Sequence, residues 1–274
     1  MMEAVSSVAR GVWRDGILKH GARSVPEEVA VAFSYNGSAH AVMMATPQDL
    51  ADFAAGFSLT EGVIGAVSEI ESLDIVETAP GIDLRIWLAE PQRAILQERR
   101  RFLAGPTGCG LCGIESLEQA MRPQPPVLDD TVFSPADIMA ALTALTARQL
   151  LHKRTSAVHA AAFWTQAEGL VALREDVGRH NALDKLTGAL AGLGRTGRGG
   201  LGVLTSRLSV EMVQKAAVAQ IPVLVAVSAP TALALRTAQE AGITIVAVAR
   251  QDGFEVFTHP QRIIEEGLDA HVAR

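Results

Sequence analysis

Cys109 and Cys112 are the only two cysteines of the 274-residue chain, three positions apart in "GPTGCGLCGIESLEQA", residues 105–120. A chain that spends cysteine nowhere else keeps the pair for chemistry rather than packing. Three chemistries use such a pair: metal ligation, a dithiol–disulfide couple, and sulfur carried on a thiol. Zinc needs about four ligands, and no histidine pair here has finger-like spacing; nothing selects His152 or His159. A zinc deaminase pairs His-x-Glu with a later Pro-Cys-x-x-Cys. Here the cysteines come first and "HAA", residues 159–161, has no glutamate to move protons, which excludes it. A thioredoxin-type centre places the pair at a helix N-terminus, where the dipole stabilises a thiolate. Residues 114–121 could form that helix, while Gly108, Gly110 and Gly113 suggest a loop that presents a sulfur to two partners in turn. Spacing alone leaves redox chemistry and sulfur transfer both open.

The second chemically dense stretch is "EDVGRHNALDK", residues 175–185, at the start of an amphipathic helix. Ala182, Leu183, Leu186, Ala189 and Leu190 can face a core, leaving Asp176, Arg179, His180 and Asn181 at the opening. Asp176 or Asn181 would serve equally as an ordinary helix cap, and Asp184 and Lys185 suit a solvated surface as well as a ligand. His159 sits inside the apolar run "AVHAAAF", where a lone histidine is usually a hydrogen-bonded core residue. "GLGRTG", residues 192–197, matches the dinucleotide fingerprint literally but follows a helix and precedes a strand, so it reads as a flexible connection.

These residues need elements to position them. "RPQPPVLDD", residues 122–130, has three prolines in five residues and divides the chain into 1–125 and 126–274. In the first part, "VAVAFSYNGSAHAVMMA" predicts a hairpin about Asn-Gly, and "LDIVETAPGIDLRIWLA" a second one. Between them, "TPQDLADFAAGFSLTEGVI" predicts a helix capped by Thr46. This is a small α+β domain. In the second part, "SPADIMAALTALTARQLLHKR" predicts one capped helix, followed by the strands "SAVHAAAFWT" and "GLVALRE". Short apolar strands then alternate with amphipathic helices, predicting an α/β domain with a largely parallel sheet covered by helices. Ligands of such sheets bind beyond the strand carboxyl ends. Four such ends carry "REDVGRHN", "TSRLS", "SAPT" and "ARQDGF". Helix starts after Ser209 and Thr231 favour anions, and Arg179, Arg207 and Arg250 supply forks for phosphate.

Hydrophobic residues make up 49% and charged residues 20%, the composition of a globular chain. A net charge of −6 opposes non-specific nucleic-acid binding. "MMEAVSSVARGVWRDG" lacks a signal-peptide core, and "IPVLVAVSAPTALAL" is too short to span a bilayer. Two cysteines make no secreted disulfide framework. The expectation is a cytoplasmic protein with neither nucleic-acid nor membrane partners. His40 and Trp13 have no evident role.

Taken together, "TPQDLADFAAGFSLTEGVI", "TGCGLCG", "VHAAAF", "REDVGRHNALDKLTG", "TSRLSVEMVQKA" and "SAPTALALRTAQEAGITIVAVAR" resemble the formate dehydrogenase accessory sulfurtransferase family, FdhD, in order and from about Glu27 to His259. The resemblance implies a sulfurtransferase. It would take sulfur from a cysteine desulfurase onto Cys109 as a persulfide, with Cys112 in support. It would deliver that sulfur to the molybdenum cofactor of formate dehydrogenase, bis-molybdopterin guanine dinucleotide, and would act as a homodimer. It also implies a three-layer carboxy-terminal domain similar to the cytidine deaminase fold without its zinc. The cofactor-binding positions implied are His159, Asp176, Gly178, Arg179, His180, Asn181, Lys185, Ser206, Arg207 and Ser209, with the run Val248, Ala249, Arg250, Gln251, Asp252 and Gly253. Phe257 stands where the family commonly has an aromatic hydroxyl.

Overall fold

The computed structural model describes residues 2–90, 92 and 123–264. Their strands form sheets of two, four and six strands.

The first sheet is an antiparallel ribbon of β1 (Val5–Arg14) and β2 (Ile17–Pro26). Its turn residues Asp15 and Gly16 both have positive φ, 50° and 77°, the handedness that matches strand twist. No sequence expectation covers this ribbon, because neither of its faces is buried enough to select a pattern.

β3 (Val29–Tyr35) and β4 (Ser38–Ala45) form the expected hairpin, with Asn36 and Gly37 at φ 50° and 78°. β5 (Ile70–Thr78) and β6 (Gly81–Leu88) form the other, and β3 and β6 join the two in parallel, giving the order β4-β3-β6-β5. Helix α1 (Leu50–Thr60) covers one face. Phe33 of β3 meets Phe53 edge-on at 5.0 Å between centroids and stacks on Phe57 at 4.1 Å. The expected Thr46 cap is corrected. The helix follows Asp49, a residue at φ 54°, while the Thr46 hydroxyl accepts a hydrogen bond from the distant Val177 amide at 3.2 Å.

Ser134 and Asp137 form a capping box at the start of α2 (Pro135–Arg148). The expected single helix breaks at Gln149, and α3 (Leu150–Thr155) restarts it. The buried Glu175 carboxylate explains the restart by accepting the Leu151 and His152 amides, both at 2.8 Å.

The large sheet has the order β12-β11-β10-β9-β7-β8. Its strands are β7 (His159–Thr165), β8 (Gly169–Asp176), β9 (Leu201–Leu204), β10 (Val223–Ala226), β11 (Thr244–Arg250) and β12 (Gly253–Val256). Only β9–β10 and β10–β11 are parallel, so the expectation of a largely parallel sheet is corrected to a mixed one. The reason is local: β7 reaches β8, and β11 reaches β12, through connections too short for a crossover. Helices α4 (Arg179–Gly192), α5 (Val210–Val218) and α6 (Ala232–Ala241) pack on one face. Ile138, Ala141 and Leu145 of α2 pack on the other, giving three layers.

The two halves meet through α1 and α4. A Cβ at Gly56 would collide with the Asp184 carbonyl, and one at Gly188 with the Asp52 carbonyl, so the backbones touch only because both residues lack side chains. Two buried ion networks flank this crossing. Lys185 Nζ binds Asp176 Oδ2 at 2.6 Å and the Thr46 carbonyl at 2.9 Å. Lys215 Nζ binds Asp184 at 2.9 Å and Glu61 Oε1 at 2.8 Å, and Thr60 donates to Asp184 at 2.6 Å.

Candidate functional site at the strand ends

β8 is antiparallel to β7, which is antiparallel to β9. The carboxyl ends of β8, β9, β10 and β11 therefore lie on one edge of the sheet, beside the start of β7. Specific contacts tie these ends into a row. His159 pairs with Asp176 across the ladder, and Arg179 next to it presses electrostatically on His159, His180 and Glu211. Leu208 donates its amide to the Ala229 carbonyl and accepts the Thr231 amide at 2.9 Å. Val248 donates to the Ser228 carbonyl at 3.3 Å, and an Arg250 guanidinium nitrogen donates to the Val227 carbonyl.

Among the polar atoms of this row buried without a hydrogen-bond partner are Nε of Arg179 and Nε2 of His180. Buried polar groups are ordinarily paired, so these atoms fit an acceptor or donor brought by a ligand. Both sit in the first turn of α4, whose N-cap is Gly178 and receives no side-chain cap. The cap expected at Asp176 or Asn181 is corrected: Asn181 lies inside the helix, and Asp176, at the end of β8, accepts on Oδ1 the amide of Gly178 itself at 2.7 Å. Burial chiefly, then the Arg179 and Lys215 cations, lowers the His180 pKa to about 4. Burial and Arg179 also lower that of His159. Both imidazoles are neutral at physiological pH, and each can donate or accept. Glu211, in the first turn of α5, is held below the usual carboxylate range: burial opposes the shift, but hydrogen bonds and the His180 and Arg179 neighbours outweigh it.

Val248 adds a backbone feature. It sits at φ 53° inside β11, at the register break between Ala247 and Arg250. A β-branched residue at positive φ is strained, and such strain gathers where a structure must present a loop in one shape. The run Arg250, Gln251 and Asp252 that follows is exposed.

The predicted residues divide by access. Arg207, Arg250, Gln251 and Asp252 are open at the edge, while His159, Gly178, Arg179, His180, Ser209, Val248 and Gly253 are half-buried. Asp176, Asn181, Lys185, Ser206 and Ala249 are buried. For Lys185, at 0% exposure, the surface alternative is corrected: it pairs with the buried Asp176, and the pair reaches the first half through the Thr46 amide and carbonyl. Asn181 spends its amide on the Met44 carbonyl at 2.8 Å and on Asp176 at 2.9 Å. Asp184 is likewise interior. The Ser206 hydroxyl donates to the Arg207 carbonyl at 3.1 Å. Cys109 and Cys112 lie outside the described residues, as does the helix predicted after them. Sequence reasoning missed Glu211, because an acidic residue in a first turn looks like a simple complement to the dipole. It also missed Lys215, whose partners come from α1.

A profile of the FdhD/NarQ family matches residues 26–264 of this chain. The chain belongs to the FdhD/NarQ family. It is 55% identical over 260 residues to the Agrobacterium fabrum protein named sulfur carrier protein FdhD, covering 94% of this chain and 95% of that one. A Cupriavidus necator protein of the same name is 50% identical over 262 residues, 95% and 91% of the two chains. Among solved structures, that of a candidate formate dehydrogenase accessory protein from Desulfotalea psychrophila superposes with a TM-score of 0.74 at 26% identity. That match covers 96% of this FdhD/NarQ chain and all of the other. No helix among the described residues is long and apolar enough to cross a membrane.

Proposed function

We propose that this chain is a sulfur carrier of formate dehydrogenase maturation, moving sulfur as a persulfide on Cys109 to the molybdenum cofactor. The names of its FdhD relatives support the sulfur-carrier part. The observation that carries the ligand part is the pair of buried, unpartnered atoms at the start of α4, Arg179 Nε and His180 Nε2, at the edge where four strands end. In the proposed reaction, Cys109 thiolate attacks the terminal sulfur of a persulfide on a cysteine desulfurase. The S–S bond breaks, the donor cysteine leaves as thiolate, and the terminal sulfur stays on Cys109. The substrate at the strand ends is the bis-molybdopterin guanine dinucleotide. Its phosphates suit the Arg179, Arg207 and Arg250 guanidiniums and the free amides of α4 and α5. His180, neutral, supplies a hydrogen bond without adding charge. The cytoplasm, a homodimer and a deaminase-like second half belong to the same proposal.

The test is peptide mass spectrometry after incubation with a cysteine desulfurase and cysteine. A reductant-sensitive gain of one sulfur on the peptide holding Cys109, lost in Cys109→Ser, is expected. Arg179→Ala should keep that gain while weakening guanine-dinucleotide binding about tenfold or more. No gain on either cysteine with a competent donor would replace transfer by simple cofactor binding.

A further inference from the structure

β8 is an outer strand of the six-stranded sheet, paired with β7 on one side only. Ala160 of β7 gives its amide to the Thr205 hydroxyl at 2.9 Å and its carbonyl to the Thr205 amide at 3.2 Å, both on the β9 side. Backbone polar groups of successive strand residues point to opposite sides. On the register Ala160↔Glu175 and Ala162↔Leu173, those of Glu175 and Leu173 therefore point away from β7. The Glu175 carbonyl accepts from Gln48 Nε2 at 3.3 Å, and the Leu173 carbonyl from Arg174 Nη1 at 2.8 Å. The Leu173 amide has no acceptor among the described residues. Along this edge runs a cavity of about 460 Å³, lined by residues 170–175, by Gln48 and Asp49 before α1, and by Arg148, Leu150 and Arg154 around the break between α2 and α3. Its carboxylates are committed: Asp49 faces Arg174 at 3.7 Å, and Glu175 holds the two α3 amides. The exposed guanidiniums of Arg148 and Arg154 pair with no carboxylate among the described residues, and Leu150 between them is 67% exposed.

We propose that the β8 edge is a docking groove for an acidic, extended segment of a partner protein, which adds to the large sheet as a seventh strand. The backbone selects the class of partner. An edge amide without an acceptor, beside a carbonyl held only by a side chain, is what an incoming strand pairs with. The partner's carbonyl takes the Leu173 amide, and its own amide replaces Arg174 Nη1 on the Leu173 carbonyl. Arg174 keeps Asp52 through Nε at 2.7 Å and Nη2 at 2.6 Å. Gln48 closes the edge at Glu175, so the pairing belongs to the stretch before it. Charge selects the sequence. The cations left over in the groove are Arg148 and Arg154, in a chain whose total is −6. An acidic segment is therefore repelled by the molecule as a whole and drawn to this groove. Side chains of a strand alternate between faces, so acidic residues two apart in the partner share one face for these guanidiniums. A free anion would meet the cations without using the strand edge. The inference is independent of the chemistry at the strand ends.

Fluorescence anisotropy of labelled peptides with the full chain tests it. Acetyl-Glu-Val-Glu-Val-Glu-Val-amide should bind saturably, and its counterpart with Lys in place of Glu about tenfold more weakly or worse. The acidic peptide methylated on every backbone nitrogen keeps its charge and should lose binding. Arg148→Glu combined with Arg154→Glu should weaken binding of the acidic peptide by about tenfold or more. Both side chains are exposed, and matching melting curves show that the variant remains folded. Saturating acidic peptide should also slow exchange of the Leu173 amide, followed by NMR, by about tenfold or more. Absence of binding by the acidic peptide, equal binding of the basic one, or unchanged Leu173 exchange at saturation would each overturn the proposal. Equal binding of the methylated peptide would reduce the groove to a site for anions and overturn strand addition as well.

Discussion

At the scale of single residues, His180 shows how burial sets chemistry. In the unfolded chain its imidazole takes the ordinary value near 6.5; folded, burial and the Arg179 and Lys215 cations hold it at about 4. The folded base is depressed, so the unfolded chain binds the proton first as pH falls. The stability associated with a neutral His180 is therefore complete above about 6.5 and is lost as pH falls from there toward 4. Urea unfolding at pH 7 and pH 5 should show wild type losing more stability than His180→Gln over this interval. A proton NMR titration should find the His180 ring neutral at pH 5. A ring that titrates near 6.5 in the folded protein would contradict the burial argument.

Among elements, the decisive contact is α1 on α4. Two helices that bring backbone against backbone need glycine where they cross, and Gly56 and Gly188 occupy those positions. Gly188→Ala should cost at least ~3 kcal/mol in chemical denaturation, because the added methyl meets a carbonyl and not a yielding side chain. The same substitution at Gly192, on the same helix with open space beside it, should stabilise slightly or be neutral. Equal effects at the two positions would show that the helices are further apart. The crossing also aims the start of α4, so Arg179 and His180 depend on it for their place at the strand ends.

For the whole molecule, the half-molecules share buried charges. Lys185 lies on α4, but its partners are Asp176 at the end of β8 and the Thr46 carbonyl before α1. Asp176 in turn accepts the Thr46 amide at 3.1 Å. Removing one member leaves the other charged and buried, a loss of about 3–5 kcal/mol. Lys185→Met should therefore lower the melting temperature of the entire protein, and calorimetry of the wild type should show one transition. Two resolved transitions, with only one moved by Lys185→Met, would mean that the halves fold independently.

Much of this arrangement was legible in order along the chain. The Asn36-Gly37 and β5–β6 hairpins, the Ser134 capping box and the alternation after Leu201 are local patterns, set by turn conformation and hydrophobic period. So was the gathering of polar residues after apolar strands, since a strand end and the next helix start are neighbours in sequence. What only tertiary structure decided is where the charges point. Asp184 and Lys185 read equally well as surface residues or ligands, and are interior because α1 covers them. Strand direction in the large sheet was misjudged at β7 and β12, where short connections and not apolar runs determine the pairing. The strain at Val248 and the faces of the ribbon depend on register, which sequence alone leaves open until a neighbouring strand sets it.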